Sequence, residues 1–167
     1  MDPLAIGALF ISVIALGSSI YFGWCTRDHN RRSVRPLVNI VPADYEHRIR
    51  VRLRNNGTGP LLLQGIVADH QTRGKKRQLI DHMPPMPDGL SFKIFEKPQP
   101  GRSILPNAYL DLLVFDVDQG DQAALAYRDA LRQALGQITI YIQYTDLYDT
   151  KFKDYQKSLK WFKRGSA

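Results

Sequence analysis

The chain has 167 residues, a formal net charge of +7 and one cysteine, Cys25. A hydrophobic content of 44% and a charged content of 23% are ordinary for a globular protein and argue against wholesale disorder. Because there is only one cysteine, an internal disulfide is excluded, which fits a reducing compartment.

The first segment, residues 1–25, predicts a single transmembrane α-helix that anchors the protein in the cell inner membrane. Residues 3–24 carry no charged side chain, and about 20 apolar residues suffice for a helix to cross a bilayer. A basic stem, residues 26–36, follows. Its arginines predict an amino terminus outside the cell and a cytoplasmic carboxyl-terminal side. A cleaved signal peptide would need a basic start and a small-residue cleavage site, which this chain lacks.

The third segment, residues 37–167, predicts one β-rich domain. Residues 47–54 alternate apolar and basic side chains, which is the period of a half-buried strand. Residues 55–60 have the composition of a turn. Further strands are expected at residues 37–41, 61–68, 91–95, 109–115, 138–144 and 151–163, and a helix at residues 121–135.

Short strands without βαβ alternation favour a mainly β fold, an antiparallel β-sandwich with one crossover helix across its end. An open barrel is the alternative. The last strand is expected to be a lysine-protected edge strand. Contact of Trp161 and Phe162 with the membrane surface is the other interpretation of that segment.

Three features together resemble a known class of protein. They are Arg35-Pro36 at the end of the stem, the Asn-x-Gly-x-Gly-Pro motif of residues 55–60, and the Tyr-x-Asp-x-Tyr motif of residues 144–148. In these features the chain resembles uncharacterised small bacterial single-pass membrane proteins that have an N-terminal anchor helix and an immunoglobulin-like (Ig-like) cytoplasmic domain. The resemblance implies the fold and the topology, and no activity.

Two sets of residues in the amino-terminal part suggest interactions. Small residues at helical spacing let a second helix approach closely in lipid, or face lipid without a partner. Basic residues beside a membrane bind anionic lipid, set the topology, or do both. The helix-packing set is Ala5, Ala8, Ser12, Ala15, Ser19 and Gly23, and the basic set is Arg27, Arg31, Arg32 and Arg35.

A third set forms a basic face on one strand: Arg48, Arg50, Arg52 and Arg54. Alternate residues of a strand share a face, so four guanidinium groups are expected on one sheet surface. Such a row suits an acidic protein or a lipid headgroup. The alternative is a solvated face paired with carboxylates of neighbouring strands. Nucleic acid is disfavoured, because no aromatic residues alternate with these arginines.

The proline-rich stretch within residues 70–107 is long for a connection in a compact domain. Its apolar residues, Met83, Met86, Leu90, Phe92 and Phe95, either contact a partner or tuck into the edge of the sandwich. The main hypothesis is a membrane-anchored binding or scaffold module that presents its cytoplasmic domain to a protein partner. The alternative is a membrane effector, or small subunit of a membrane complex, that oligomerises through its transmembrane helix.

Catalysis finds little support in the sequence. The four histidines are scattered, and neither a nucleophile motif nor a metal-binding spacing occurs. An enzyme would have to depend on single polar residues such as Asp69, His70 or His82. We therefore expect no enzymatic activity, no cofactor, no metal and no small-molecule substrate.

Overall fold

The structure is a computed structural model that describes residues 2–96 and 99–165, without the side chain of Ala5. It consists of an N-terminal helix followed by a domain of antiparallel sheets, so the mainly β class is confirmed. The arrangement of the sheets as an Ig-like sandwich stays a prediction.

Helix α1 runs without interruption from Pro3–Ser33. Its apolar length is exposed, and it is long and apolar enough to cross a membrane. It also continues through most of residues 26–36, where the sequence suggested a separate stem. Only residues 34–37 separate α1 from the first strand, which begins at Val38.

The strands of sheet A are β1 (Val38–Tyr45), β2 (Arg48–Asn55), β5 (Ile94–Phe95) and β7 (Tyr109–Asp116). Their order across the sheet is β1-β2-β7-β5. The strands of sheet B are β3 (Leu61–His70), β4 (Gly74–Lys76), β6 (Ser103–Ile104), β8 (Ile138–Thr145) and β9 (Tyr155–Ser158). Their order is β4-β3-β8-β9, and β6 pairs with the same edge of β3 as β4.

Buried side chains of the two sheets belong to one hydrophobic core. Val51 and Leu53 of sheet A and Leu63 and Ile140 of sheet B are all fully buried members of it. Because these strands alternate inward apolar and outward polar residues, one face of each sheet is buried and the other meets solvent.

Helix α2 (Gln122–Leu135) connects β7 of sheet A to β8 of sheet B. It begins where the Asp121 carboxylate accepts a hydrogen bond from the Ala123 N–H at 2.8 Å. Its buried stripe includes Tyr127, whose ring packs edge-on against Phe115 at 5.2 Å between ring centroids. The prediction of a crossover helix at residues 121–135 is confirmed.

The predicted strand at residues 151–163 is wrong in its length. Only β9 is a strand, apart from an isolated bridge at Lys151, and a 3₁₀ helix follows at Lys160–Gly165. Leu159 and Phe162 are both buried, because a three-residue turn brings side chains spaced by three onto one side. Phe162 is therefore a core residue, while Trp161 is exposed.

Each sheet has two distinct ends. We call proximal the end that carries the connection from α1 to β1 together with the β2–β3, β6–β7 and β8–β9 connections. The opposite, distal end carries the β1–β2 turn and both ends of α2. The proximal end is thus the end of the domain that faces the helix.

Candidate functional site

The junction between α1 and the domain is built from residues 34–37 and the β2–β3 loop, residues 55–60. The Asn56 N–H donates to the Leu37 carbonyl at 2.7 Å, and the Thr58 N–H donates to the Arg35 carbonyl at 3.3 Å. The Thr58 hydroxyl donates to the carbonyl of Ser33, the last residue of α1. The loop therefore holds the chain that leaves the helix by hydrogen bonds to its backbone.

Asn55 is the centre of this junction and is fully buried. Its amide nitrogen donates to the carbonyls of Gly59 at 2.8 Å and Ile104 at 3.0 Å. Its amide oxygen accepts from the N–H groups of Gly57 at 3.0 Å and Leu37 at 3.2 Å. One side chain therefore ties together the loop, the stem and strand β6, and all its polar atoms are satisfied.

Both glycines of the motif are required by a close approach of two backbones. A Cβ on Gly57 would lie 2.3 Å from the Arg35 carbonyl oxygen, and a Cβ on Gly59 would lie 1.7 Å from that of Val34. A side chain cannot be accommodated at either position. The sequence suggested a turn here, and the structure adds the reason for its glycines, which is contact with the stem.

The basic set of α1 and the stem divides into two groups. Arg31 lies over the ring of Tyr148 at 5.3 Å, and Arg35 lies over the ring of Phe152 at 5.0 Å. Phe152 in turn stacks on Tyr144, with 5.2 Å between the ring centroids. Two of the arginines thus contact the β8–β9 connection, beside the junction.

The other two members of that set extend along exposed helix. Arg32 forms an ion pair with Asp28 at 2.9 Å, one turn earlier on the same helix. Arg27 is exposed as well. The aromatic partners Tyr148 and Phe152 were missed by the sequence analysis, although Tyr148 belongs to the Tyr-x-Asp-x-Tyr motif.

The small residues of α1 lie on one face of an unbroken helix, because they recur every three or four residues. The side chain of Ala5 lies outside the described atoms. The hydroxyls of Ser12 and Ser19 donate to the carbonyls of Ala8 and Ala15, each at 2.8 Å. These hydroxyls are therefore satisfied within the helix, whether lipid or a second helix lies against them.

The arginine row lies on the outer face of sheet A, and two of its members are paired with carboxylates. Arg52 binds Asp111 with two hydrogen bonds, at 2.6 and 2.9 Å, and lies 3.4 Å over the ring of Tyr109. Arg48 binds Asp116, and its hydrogen bond lowers the pKa of that carboxyl group. This is the pairing that the solvated-face alternative predicts.

Arg50 and Arg54 differ from these two. Among the described residues, neither has a carboxylate within ion-pair distance, and the buried Nε of Arg50 has no hydrogen-bond partner. In the register of sheet A, Arg50 lies opposite Val114, which lies opposite Ile94 at the edge. Lys93 adds a cation beside Asp116, at 2.9 Å. The outer face of sheet A therefore keeps a net positive charge.

Most apolar residues of the proline-rich stretch pack against the domain. Met83 is buried in the core, and Met86, Leu90 and Phe92 are partly buried against it. Phe95 stays exposed, as does its neighbour Ile94. Met83, Met86, Leu90 and Phe92 thus tuck into the domain, while the exposed apolar residues of the stretch are Ile94, Phe95 and Leu105.

The histidines proposed as a test of catalysis occupy a structural site. His70 and His82 are both buried, and their rings stack with 5.5 Å between centroids. The Nδ1 of His70 accepts from the N–H groups of Thr72 and Arg73, at 3.2 and 3.3 Å. Burial, and then the charges of His82 and Arg73, lower the pKa of His70.

Within residues 2–96 and 99–165, no three histidine, cysteine or acidic side chains come together in a way that would bind a metal ion. Comparison with protein-family models gives no match, and comparison with curated proteins gives none either. The molecule has the general form expected from the sequence, an N-terminal apolar helix followed by a β-rich domain.

Proposed function

We propose that the protein is a membrane-anchored, non-enzymatic binding or scaffold module. Its helix α1 spans the cell inner membrane once, with the amino terminus outside. Its two sheets form an Ig-like β-sandwich in the cytoplasm, and this domain presents a binding surface to a protein partner at the membrane.

The junction is the observation that carries this proposal. A tethered domain that only needs to stay near a membrane can hang from a flexible linker. Here the helix ends at Ser33, and residues 34–37 are bound at once by the β2–β3 loop. The buried Asn55 and the two glycine contacts make this connection short and specific. Such a connection serves a domain that has to be held in one orientation.

The outer face of sheet A next to strand β5 is the proposed binding surface. It combines Arg50 and Arg54, which have no acidic partner among the described residues, with the exposed Ile94 on the same face, and the exposed Phe95 borders it at the edge of the sheet. Interface cores are apolar and often contain arginine, and a net positive face favours an acidic partner. Within residues 70–107 this assignment keeps only strand β5 as the contact region, and it adds the arginine row of β2.

Site-specific photo-crosslinking in native membranes tests this surface. A photoreactive residue in place of Ile94 should give a discrete adduct, and one in place of Trp161, which is exposed near the distal end, should not. Arg54→Glu should abolish the adduct, whereas the matched charge reversal Lys157→Glu on exposed β9 should leave it intact. Equal adducts at both positions, or an adduct insensitive to Arg54→Glu, would contradict the proposed surface.

The topology rests on the arginines that follow the apolar segment. Residues 26–35 contain four arginines and one aspartate, whereas Asp2, the residue before the helix, is acidic. Cationic flanks stay on the cytoplasmic side. A reporter fused after residue 167 should be active only as a cytoplasmic fusion, and periplasmic activity would overturn the orientation.

The alternative, oligomerisation through α1, is tested separately from the binding surface. Ala15→Leu with Ser19→Leu fills the face that carries the small residues while keeping the helix apolar. Loss of function in this variant, with adducts at Ile94 retained, would favour a membrane effector or small subunit over the scaffold.

A further inference from the structure

Exposed apolar side chains of the domain are concentrated at its proximal end. Outside α1, nine large apolar residues of the described chain are exposed, and five of them belong to the proximal connections or the strand ends beside them. These five are Leu37, Leu105, Tyr109, Leu147 and Tyr148. Scattered exposed apolar residues are ordinary, but a concentration at one end marks a contact surface.

The β8–β9 turn is the part of this surface that lies nearest to the apolar segment of α1, because its Tyr148 contacts Arg31. Leu147 is 59% exposed and Tyr148 is 48% exposed. The Asp146 carboxylate accepts from the N–H groups of Tyr148 at 2.8 Å and Thr150 at 2.9 Å, which fixes the turn. The turn thus holds the side chains of Leu147 and Tyr148 in place. The buried Asp146 carboxylate is occupied by hydrogen bonds within the turn.

The contact of Tyr148 with Arg31 sets the height of this turn above the membrane. Arg31 follows Trp24, the last residue of the apolar segment, by seven residues, which is about 10 Å along a helix. The headgroup layer is about 5–8 Å thick on each side of the hydrocarbon. On an upright helix the turn would therefore lie just outside that layer, and a tilt of about 20° toward the turn, the average tilt for membrane helices, brings the turn down to it.

The charge at this end matches an anionic membrane surface. Arg27, Arg31, Arg32 and Arg35 surround the end of α1, and exposed Lys151 and Lys153 follow the β8–β9 turn. Three exposed carboxylates, Asp28, Asp149 and Asp154, lie in the same segments, so these six cations leave a net positive charge. Basic residues near an anionic leaflet contribute about 1 kcal/mol each, and tyrosine favours the interface. The patch is also continuous with the helix that enters the bilayer.

From these observations we infer that the proximal end of the domain, through Leu147 and Tyr148 of the β8–β9 turn, inserts into the anionic headgroup layer of the bilayer. The inference rests on the proposed role of α1 as a membrane anchor. With the helix and this second contact both in place, the domain has one orientation on the membrane, and the distal end points away from it.

Fluorescence quenching in nanodiscs tests the inference on the full chain. Cys25→Ser removes the native thiol, and Thr150→Cys, at an exposed position beside the turn, carries an environment-sensitive dye. Tyr45→Cys carries the same dye at the distal end. With a headgroup-linked quencher in nanodiscs containing phosphatidylglycerol, the dye at position 150 should be quenched roughly threefold more than that at position 45.

A charge variant distinguishes insertion of the turn into the headgroup layer from a position that is only close to the membrane. Leu147→Glu should reduce quenching at position 150 to the level at position 45, since a carboxylate is repelled by anionic headgroups. Equal quenching at the two positions with Leu147 in place would overturn the inference, and so would quenching that survives Leu147→Glu.

The same preparation distinguishes this failure from failure of the anchor. If the chain does not co-purify with nanodiscs, the anchor is wrong, and this inference falls with it. If the chain is incorporated but the fluorescence of the dye at position 150 is that of an aqueous environment, the role of α1 as an anchor is retained and the headgroup contact is wrong.

Discussion

Replacement of Gly59 by alanine should separate the helix from the domain. The new Cβ would lie 1.7 Å from the Val34 carbonyl oxygen, and real Cβ atoms essentially never come closer than 3.0 Å to another atom. The stem would have to move by at least about 1.3 Å, the difference between these two distances. Because the clash is with backbone, no side-chain rotation relieves it.

The expected loss follows from the hydrogen bonds that this movement breaks. They are Asn56 N–H to Leu37, Thr58 N–H to Arg35, and Leu37 N–H to the Asn55 amide oxygen. At about 0.5–1.5 kcal/mol each, Gly59→Ala should lower the free energy of unfolding by about 2–4 kcal/mol. For a domain of this size the melting temperature should fall by roughly 8–16 °C.

Denaturant unfolding in detergent micelles measures the loss, and Gly120→Ala is the matched control. A Cβ at Gly120 would meet only Asp118 Oδ1 at an ordinary 3.5 Å, so this variant should be neutral or gain up to about 1 kcal/mol. A distance measurement between spin labels on exposed Arg27→Cys and Lys157→Cys, with Cys25→Ser, should give a narrow distribution that Gly59→Ala broadens. If Gly59→Ala left the free energy of unfolding unchanged and the distance distribution narrow, the close contact between Gly59 and the stem would be refuted.

Three further perturbations test other parts of the molecule. Asn55→Ala should cost about 3–5 kcal/mol, because it leaves several buried backbone groups without partners, and chemical denaturation measures this loss. The pKa of His70 lies below its usual value of 6.5 in the folded protein, so its contribution to stability is complete above about pH 6.5 and is lost as the pH falls. His70→Gln should flatten that slope in unfolding free energies measured from pH 7.5 to 5. Arg132→Ala should cost about 2–4 kcal/mol, because it strands the largely buried Asp44 carboxylate that Arg132 binds with two 2.8 Å hydrogen bonds.

The Arg132 prediction has a matched control variant, and the His70 prediction has an outcome that would contradict it. Arg54→Ala removes an exposed arginine without an acidic partner among the described residues, so it should change stability by less than about 0.5 kcal/mol. A loss equal to that of Arg132→Ala would show that charge removal alone is responsible. An acid slope that persists in His70→Gln would assign the pH dependence to other groups, such as the carboxyl of Asp116, whose pKa Arg48 lowers.

Periodicity predicted β2, β7, β8 and α2 well, because each carries its burial pattern within its own residues, whereas β1 extends to Tyr45, beyond the predicted 37–41, and the strand predicted at 91–95 is only Ile94–Phe95. Strand β2 alternates buried and outward side chains as the sequence indicated, and α2 differs from its prediction by one residue. The 3₁₀ helix was missed because Leu159 and Phe162, spaced by three, were interpreted as part of an alternating strand. This segment forms a helical turn instead of a strand because the turn places Phe162 in the hydrophobic core. The position of the core is not contained in the local sequence.

The junction could be predicted only in part, for a related reason. The composition of residues 55–60 indicates a turn, but the role of Gly57 and Gly59 depends on another backbone lying against them. Likewise, the pairing of Arg31 with Tyr148 joins residues more than 100 positions apart. Contacts of this kind depend on how the elements assemble, whereas the helix and strands are encoded in short stretches of sequence.

The junction also bears on the proposed role of α1 as an anchor. From Trp24 to Ser33 the helix rises about 14 Å, while a flexible linker of the same nine residues would span about 15–18 Å on average. The two therefore give nearly the same reach, and a need for reach does not explain the buried Asn55 or the two glycines. What the rigid connection adds is orientation: sheet A, with three strands of eight residues or about 27 Å, is held with its arginine face at one angle to the helix. A partner that is itself embedded in or bound to the same membrane would meet that face in one approach, and loosening the junction should weaken its binding without altering a single residue of the surface.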